Sequence, residues 1–222
     1  MSEPNSGVLA EKFIIPPFTI LNAGSRRWME RKREWTSRTG MDSATGRDAD
    51  LTYGIPNPDA QRLKDSFDSA IGRKSTWAEF VEANPDMENK KTSIFDPVLT
   101  ELIVNWFSPR SGVVLDPFAG GIVRGAVSSM LGREYHGVDL SKKQIDANND
   151  QWNEIVKLGE ISRKPNWIHG DSSNIADHGI KADLIMSCPP YHDLEVYSDH
   201  PGDLSNMSYD AFLDSYRVII RE

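Results

Sequence analysis

The sequence predicts an α/β protein with a parallel sheet, and residues 93–222 carry the prediction. Short apolar runs bounded by glycine, proline or polar residues alternate there with amphipathic helical segments. Strands that alternate with helices at this spacing are typical of βαβ units, whose strands are parallel. A glycine-rich turn after the first strand and an acidic residue at the end of the second fit a sheet that binds ligands at its carboxyl edge.

Asp96-Pro97 marks the start of the first helix of this region. Asp96 is suited to cap a helix, and Pro97 to its first position, where a missing N–H costs nothing. Apolar periodicity and breakers then predict the other elements. Strands are expected over 112–116, 135–139, 167–170 and 183–187, and helices over 121–131, 141–158 and 208–222, with Ser141 capping the second of these helices.

Residues 1–92 are predicted to form an irregular helical extension. Prolines interrupt them, and residues 40–54 are a polar stretch suited to a loop. Two helices are expected, over 25–37 and 59–71, the second with Asp59 as a possible cap. The chain is therefore expected to comprise an N-terminal extension of residues 1–92 and an α/β segment of residues 93–222.

Composition excludes several classes of protein. The chain has 222 residues and one cysteine, so a disulfide framework is excluded. The longest apolar-looking stretch, residues 13–21, is short and contains two prolines, so no membrane span is expected. No apolar segment typical of a secretory signal begins the chain, which favours a cytoplasmic location. The five histidines show no metal-ligand spacing, so no metal is expected.

The net charge of −8 is unevenly distributed. Residues 1–92 hold 14 basic and 14 acidic side chains, whereas residues 139–222 hold 8 basic and 15 acidic ones. The acidic average therefore does not exclude a nucleic-acid partner, whose phosphates would contact lysine and arginine.

A basic helix near residue 30 is the candidate DNA contact. Its candidate residues are Arg26, Arg27, Arg31, Lys32 and Arg33. Trp28 and Trp35 are seven positions apart and share one face, which predicts an aromatic stripe that docks the helix on the rest of the protein. The alternative is a solvated helix whose tryptophans are simply part of the core.

Three features of the α/β segment predict a ligand site. The turn of residues 116–125, Asp-Pro-Phe-Ala-Gly-Gly-Ile-Val-Arg-Gly, follows the first strand, where glycine permits close approach of a ligand. Asp139 ends the second strand, where a carboxylate can accept hydrogen bonds from ribose hydroxyls. Gly170-Asp171-Ser172 follows the third strand, in position to reach an adenine edge. A glycine-rich turn without a ligand is the alternative, which the three features together disfavour.

S-adenosylmethionine fits this pattern better than a dinucleotide. A dinucleotide fingerprint places Gly-x-Gly directly after the strand to accommodate a pyrophosphate. Here Asp116, Pro117 and Phe118 come first, and a carboxylate repels phosphate. S-adenosylmethionine carries an ammonium and a sulfonium, to which a carboxylate is better suited.

The run Ser187-Cys188-Pro189-Pro190-Tyr191 ends the fourth predicted strand and makes a resemblance specific. With Asp-Pro-Phe-x-Gly it resembles the DNA amino-methyltransferases, which form N6-methyladenine or N4-methylcytosine from S-adenosylmethionine. Residues 94–107 resemble the extra cofactor-binding segment of that family. The stretch 28–35, the Gly-Gly-x-x-Arg-Gly variant and Asp193-Leu194-Glu195 are most similar to a phage or prophage type.

The resemblance implies a Rossmann-like methyltransferase sheet and assigns roles to individual residues. The implied cofactor-binding residues are Phe95, Asp96, Asp116, Pro117, Phe118, Ala119, Gly120, Gly121, Gly125, Asp139, Leu140, Asp171 and Ser172. The implied catalytic residues are Cys188, Pro189, Pro190 and Tyr191. The target base, adenine or cytosine, stays open.

The chemistry of the catalytic run is consistent with amino methylation. Acceptors that bind both protons of an exocyclic amine localise its lone pair, and a rigid Pro-Pro turn fixes one such acceptor, the carbonyl of Pro189. Tyr191 offers an aromatic face to a base removed from its stack. Cys188 stands where the family has Asp, Asn or Ser, and a thiol is a weak acceptor. A nucleophilic Cys188, or a small buried residue without a chemical role, are the alternatives.

Only four strands of a seven-stranded family sheet are predicted. We therefore expect a missing C-terminal half, or a partner chain that covers the fourth strand. A catalytically silent remnant that binds S-adenosylmethionine or DNA is one alternative function. Amino methylation of RNA or of a protein is another.

Overall fold

The computed structural model describes residues 21–42, 45–46, 58–75, 79–80, 83, 95–159, 162–190, 197–198 and 200–221. The chain divides into two compact units, one of residues 1–47 with 94–222 and one of residues 48–93. These units differ from the two segments expected from the sequence. The first unit includes the N-terminal basic helix because its tryptophans pack into the same core as the sheet.

Four parallel strands form the sheet of the first unit, as the sequence predicts. They are β1 (Val113–Asp116), β2 (Glu134–Asp139), β3 (Asn166–His169) and β4 (Leu184–Ile185). The strand order is β3-β2-β1-β4, and every pairing is parallel. The order reverses direction between β1 and β4, which creates the type of switch point where open α/β sheets bind ligands. The described part of the chain is thus an α/β protein compatible with a Rossmann-like fold.

The described residues include six helices, five in the first unit and one in the second. They are α1 (Arg26–Thr39), α2 (Pro58–Ile71), α3 (Pro97–Phe107), α4 (Val123–Met130), α5 (Lys142–Lys157) and α6 (Tyr209–Arg221). Asp96 and Ser141 cap α3 and α5 as predicted, with side chains that accept backbone N–H bonds. Among the helices described, none has the length and apolar character required to cross a bilayer.

The structure differs from the sequence prediction at three places. Helix α2 begins at Pro58, so Asp59 lies inside its first turn and not before it. Strand β4 is only two residues long, because its pairing with β1 is limited to Val114 with Leu184 and Leu115 with Ile185. The 3-10 helices Ser172–His178 and Leu204–Asn206 were not predicted, since each is a short turn started by an aspartate cap.

Close packing between α4 and the sheet determines where the glycine-rich turn lies. Gly125 lies in α4, and a Cβ built on it would be 2.8 Å from Trp167 and 2.9 Å from Tyr135. Only glycine therefore fits at this point of the helix–sheet contact. The structure shows that Gly125 permits this packing, and its predicted role in cofactor binding stays a prediction.

The second unit has its own hydrogen-bonded cluster around Asp68 in α2. This carboxylate accepts a bond from Lys64 Nζ at 2.7 Å and one from the Ser75 backbone N–H at 2.9 Å. The Ser75 hydroxyl also donates to it. These donors, Lys64 first, lower the pKa of Asp68 to about 2. Phe67 and Phe80 pack edge to face nearby, 5.5 Å between ring centroids.

Candidate functional site

The first and fourth sequence motifs meet at the carboxyl edge of the sheet. Asp116 is the last residue of β1, and Ser187 follows β4, the neighbouring strand. The Met186 N–H donates to the Leu115 carbonyl at 3.0 Å, which continues the pairing of these strands. One residue further on, the Ser187 hydroxyl donates to Asp116 Oδ1 at 2.7 Å. The glycine-rich turn and the start of the Cys-Pro-Pro run are therefore hydrogen-bonded neighbours.

Asp116 is completely buried, and its carboxylate is saturated by donors from the protein itself. Besides Ser187, it accepts bonds from Arg124 Nε at 2.5 Å, the Tyr135 hydroxyl at 2.9 Å and the Phe118 N–H at 3.1 Å. The sequence argument supposed that this carboxylate faces a cationic ligand. The structure corrects that argument, because the cation beside Asp116 is Arg124.

Arg124 connects Asp116 to the turn that follows it. Its Nη2 donates to the carbonyls of Phe118 at 2.5 Å and Ala119 at 3.0 Å, and its guanidinium lies 4.6 Å from the Phe95 ring centroid. Burial lowers the pKa of Arg124, but the Asp116 charge opposes this and the net pKa is raised. The residue therefore stays charged and holds two carbonyls of the turn.

Tyr135 is the buried neutral donor of this cluster. Burial, and then the negative charge of Asp116, raise the pKa of its hydroxyl well above the usual value. The hydroxyl therefore remains protonated and donates to the carboxylate through the physiological pH range.

The N–H and the carbonyl of Gly120 are both held by side chains, one from the end of β2 and one from α5. Gly120 has a left-handed backbone, with φ of +51°, which favours glycine. Its N–H donates to Asp139 Oδ2 at 2.8 Å, and its carbonyl accepts from Asn148 Nδ2 at 2.8 Å. Asp139 Oδ1 also accepts the Ser141 N–H at 2.8 Å. The half-buried Asp139 carboxylate thus lies against the turn, next to Gly120 and at the end of β2.

The third motif lies at the same edge, after β3. Asp171 Oδ1 caps the following 3-10 helix by accepting the Ser173 N–H at 2.8 Å. The buried Ser172 hydroxyl donates to the Pro117 carbonyl, and so joins this motif to the glycine-rich turn. The carbonyl of Leu140 lies 3.1 Å from His169 Nε2. The structure therefore brings the three predicted cofactor motifs together.

Residues that follow the catalytic run lie beside these motifs. The Tyr216 ring in α6 is 6.2 Å from the Phe118 ring and stacks on Phe212 at 6.0 Å. A Cβ built on Gly202 would be 3.1 Å from Asp171 Oδ2. Phe118 and Asp171 are therefore packed against the chain that follows the catalytic run.

The catalytic run itself is only partly described. Cys188, Pro189 and Pro190 are half-buried and follow Ser187, two residues after the end of β4. Tyr191 and Asp193-Leu194-Glu195 lie outside the described residues. Across the described ranges, no group of three or more His, Cys, Asp or Glu side chains could hold a metal ion.

Asp96 has a structural role that the sequence only partly indicated. Its Oδ1 accepts the Val98 and Leu99 N–H groups at 2.8 and 3.3 Å, as a helix cap. Its Oδ2 accepts Trp28 Nε1 at 3.1 Å and lies 3.2 Å from Lys32 Nζ. The structure shows that Asp96 holds α1 to the start of α3, and its predicted role in cofactor binding stays a prediction.

The aromatic stripe of α1 faces α3, as predicted. Two of the basic residues of α1 also face α3, which the sequence did not predict. Trp28 and Trp35 are each 3% exposed. Arg31 forms a two-bond contact with the buried Glu101, at 2.8 and 2.5 Å, which raises the pKa of this arginine. Two of the five candidate DNA contacts, Arg31 and Lys32, are therefore bonded to α3. Arg26 pairs with Glu30 at 2.8 Å, while Arg27 and Arg33 are exposed.

Sequence reasoning missed four residues that shape this edge: Arg124, Tyr135, Asn148 and Ser187. Arg124 and Ser187 lie within the quoted motifs, so their position was visible but their hydrogen bonds were not. Nothing in the sequence pattern distinguished Tyr135 or Asn148, because Tyr135 acts on the neighbouring strand and Asn148 acts from α5 on the glycine-rich turn. Comparison of the chain with protein-family models and with curated proteins gives no match.

Proposed function

We propose that this protein transfers a methyl group from S-adenosylmethionine to an exocyclic amino group of adenine or cytosine in DNA. The observation that carries the proposal is the contact between the two motifs at the switch point. The Ser187 hydroxyl, next to Cys188-Pro189-Pro190, lies 2.7 Å from Asp116 at the start of the glycine-rich turn. The turn proposed to bind the cofactor and the turn proposed to bind the base are thus next to each other, at the edge where open α/β sheets bind ligands.

Several residues at this edge suit the cofactor. S-adenosylmethionine supplies a methyl group on a positively charged sulfur. In this proposal Asp139 is the carboxylate for the ribose hydroxyls, and Asp171 and Ser172, after β3, are the residues assigned to the adenine edge. The left-handed Gly120, held by Asp139 and Asn148, allows close backbone approach. Asp116 acts indirectly in this proposal, by shaping the turn with Arg124.

The Cys-Pro-Pro turn is the proposed site for the target amine. In this proposal the carbonyl of Pro189 accepts a hydrogen bond from one N–H of the amine. The side chain of Cys188 is a weak acceptor for the other N–H. These hydrogen bonds would localise the nitrogen lone pair for attack on the sulfonium methyl. The N–CH3 bond would form as the S–CH3 bond breaks, the amine would lose one proton to water, and the remaining contribution of the protein is alignment. Arg27 and Arg33, exposed on α1, are the cations available for phosphate contact.

Incubation with methyl-labelled S-adenosylmethionine and duplex DNA, followed by nucleoside analysis, tests the proposal. The expected product is labelled N6-methyladenine or N4-methylcytosine, formed about tenfold more slowly at subsaturating cofactor when Asp139 is changed to Asn. Asp146→Asn is the matched control, since Asp146 is exposed and pairs with Lys142 on α5. Cofactor binding with no labelled nucleoside from any DNA tested would overturn the transfer function.

The thiol of Cys188 favours a second candidate, a protein that binds S-adenosylmethionine without transferring its methyl group. A thiol is a poor acceptor for a hydrogen bond from the amine, so Cys188 is a weak second acceptor. Cys188→Ser distinguishes the two candidates. If the protein is an active enzyme, the wild type transfers methyl groups and Cys188→Ser transfers them at an equal or higher rate. If it is a silent binder, the wild type transfers none, and the serine variant either gains activity or is also inactive.

A further inference from the structure

We propose that Ser187 is a positioning residue. Through its bond to Asp116 it holds the turn Cys188-Pro189-Pro190, here called the catalytic turn, against the glycine-rich turn. The inference rests on the proposed function and adds to it a physical coupling between the two halves of the site. Ser187 is not itself assigned to the cofactor or to the target base.

The hydrogen bond from Ser187 attaches the described part of the catalytic turn to the end of β1. The last ladder bond between the strands is made by the Met186 N–H, one residue earlier. No other hydrogen bond joins residues 187–190 to the rest of the described chain. Pro189 and Pro190 have no N–H, so the backbone cannot donate one there. Within the described chain, the hydrogen bond that orients the turn is therefore the one from the Ser187 hydroxyl.

The acceptor of this bond is itself immobilised. Asp116 is completely buried and is held by Arg124 at 2.5 Å and by Tyr135 at 2.9 Å. Because the acceptor is charged and excluded from water, the bond is stronger than a neutral one at the surface. Arg124 also binds the Phe118 and Ala119 carbonyls, so one buried ion pair determines the position of both turns.

This arrangement predicts a separation between binding and transfer. Gly120 is held by Asp139 and Asn148, and Ser187 takes no part in those bonds. Loss of the Ser187 hydroxyl should leave cofactor affinity unchanged while the catalytic turn loses its orientation. The loss of one hydrogen bond to a charged group corresponds to about a tenfold to hundredfold fall in the transfer rate.

The experiment compares three variants of the full chain. Ser187→Ala removes the donor, and Ser187→Thr retains a hydroxyl. Ser75→Ala is the matched control, because the Ser75 hydroxyl also donates to an aspartate, Asp68, but in the other compact unit. For each variant the dissociation constant of S-adenosylmethionine is measured by calorimetry, and the methyl-transfer rate at saturating cofactor and DNA.

We expect Ser187→Ala to lower the transfer rate about tenfold to hundredfold with the dissociation constant within about twofold of wild type. Ser187→Thr should restore most of the rate, and Ser75→Ala should change neither quantity. A wild-type transfer rate in Ser187→Ala overturns the inference. So does an equal loss of rate and cofactor affinity, which would indicate a general disturbance of the site.

A second readout does not depend on methyl transfer. Cys188 is the only cysteine of the chain, so a thiol reagent such as iodoacetamide reports on this turn alone. We expect Cys188 to be alkylated several times faster in Ser187→Ala than in wild type, Ser187→Thr or Ser75→Ala. Absence of methyl transfer by the wild type would overturn the proposed function, whereas equal alkylation rates would overturn the positioning role of Ser187.

Discussion

Asp116 and Glu101 are both buried carboxylates that accept hydrogen bonds from an arginine and from an aromatic side chain. Asp116 is bonded to Arg124 and Tyr135, and Glu101, 2% exposed, is bonded to Arg31 and to Trp35 Nε1 at 2.8 Å. The arginine of the first pair comes from the same βα unit, eight residues away. The arginine of the second comes from a helix 70 residues away.

The two clusters differ most in the access of their arginines to water. The Arg124 side chain is 6% exposed, whereas that of Arg31 is 37% exposed. Arg31 can therefore exchange its protein partner for water, and Arg124 cannot. The first cluster organises the carboxyl edge of the sheet, and the second fastens α1 to α3. The same pairing chemistry thus serves a candidate site in one place and helix docking in another.

The largest expected effect is that of Arg124→Met. It leaves a completely buried carboxylate without its cation, which should destabilise the protein by about 3–5 kcal/mol. Urea unfolding of the variant measures this loss. A loss below about 1 kcal/mol, too small for a broken buried ion pair, would contradict the assignment of Arg124 as the charge partner of Asp116.

Arg31→Met should have a smaller effect, about 1.5–3 kcal/mol, because it removes charged hydrogen bonds to Glu101 from an arginine that is partly solvated. Arg33→Met is the matched control on the exposed side of the same helix, and its effect should stay within about 0.5 kcal/mol. Urea unfolding again supplies the comparison. If Arg31→Met costs as much as Arg124→Met, exposure does not distinguish the two clusters.

Tyr135→Phe should cost about 1.5 kcal/mol at neutral pH, the value of one hydrogen bond to a charged group. Its pH dependence is more informative. The folded-state pKa of Tyr135 is raised, so the stability it contributes is complete below the unfolded pKa of about 10 and falls as the pH rises above it. The difference in unfolding free energy between wild type and Tyr135→Phe should therefore shrink from about pH 9 to about pH 11. A constant difference would show that the hydroxyl titrates normally.

The smallest effect on stability is expected for Arg27→Gln and Arg33→Gln, which should change it by less than about 0.5 kcal/mol. Their effect should be seen in DNA affinity. Each arginine–phosphate interaction that is removed should make the slope of log affinity against log salt shallower by about 0.9. An unchanged slope in the double variant would remove α1 from the DNA-binding surface.

Local signals in the sequence were sufficient for most of the fold. The caps Asp96 and Ser141 identified the starts of two helices, and breaker-bounded apolar runs identified all four strands. Such signals are read from neighbouring residues, and tertiary contacts did not alter them. β4 was predicted too long because its pairing depends on the neighbouring strand β1 as well as on its own residues.

The site was less predictable because its residue roles depend on long-range partners. Asp116 was identified as important, but its pairing with Arg124 requires the turn to fold back on itself. Arg31 and Lys32 were predicted to contact DNA, whereas Glu101 and Asp96 lie opposite them in the fold. A charge in a sequence has no visible partner when that partner is 70 residues away, as Glu101 is from Arg31.

The central claim is that the carboxyl edge beside Asp116 and Asp139 binds S-adenosylmethionine. Equilibrium dialysis of labelled S-adenosylmethionine against wild type, Asp139→Asn and Asp146→Asn tests it most directly. We predict saturable binding of one molecule per chain, weakened about tenfold in Asp139→Asn, as expected for the loss of one charge-assisted hydrogen bond, and unchanged in Asp146→Asn. No saturable binding by the wild type, or equal binding by wild type and Asp139→Asn, would contradict the claim.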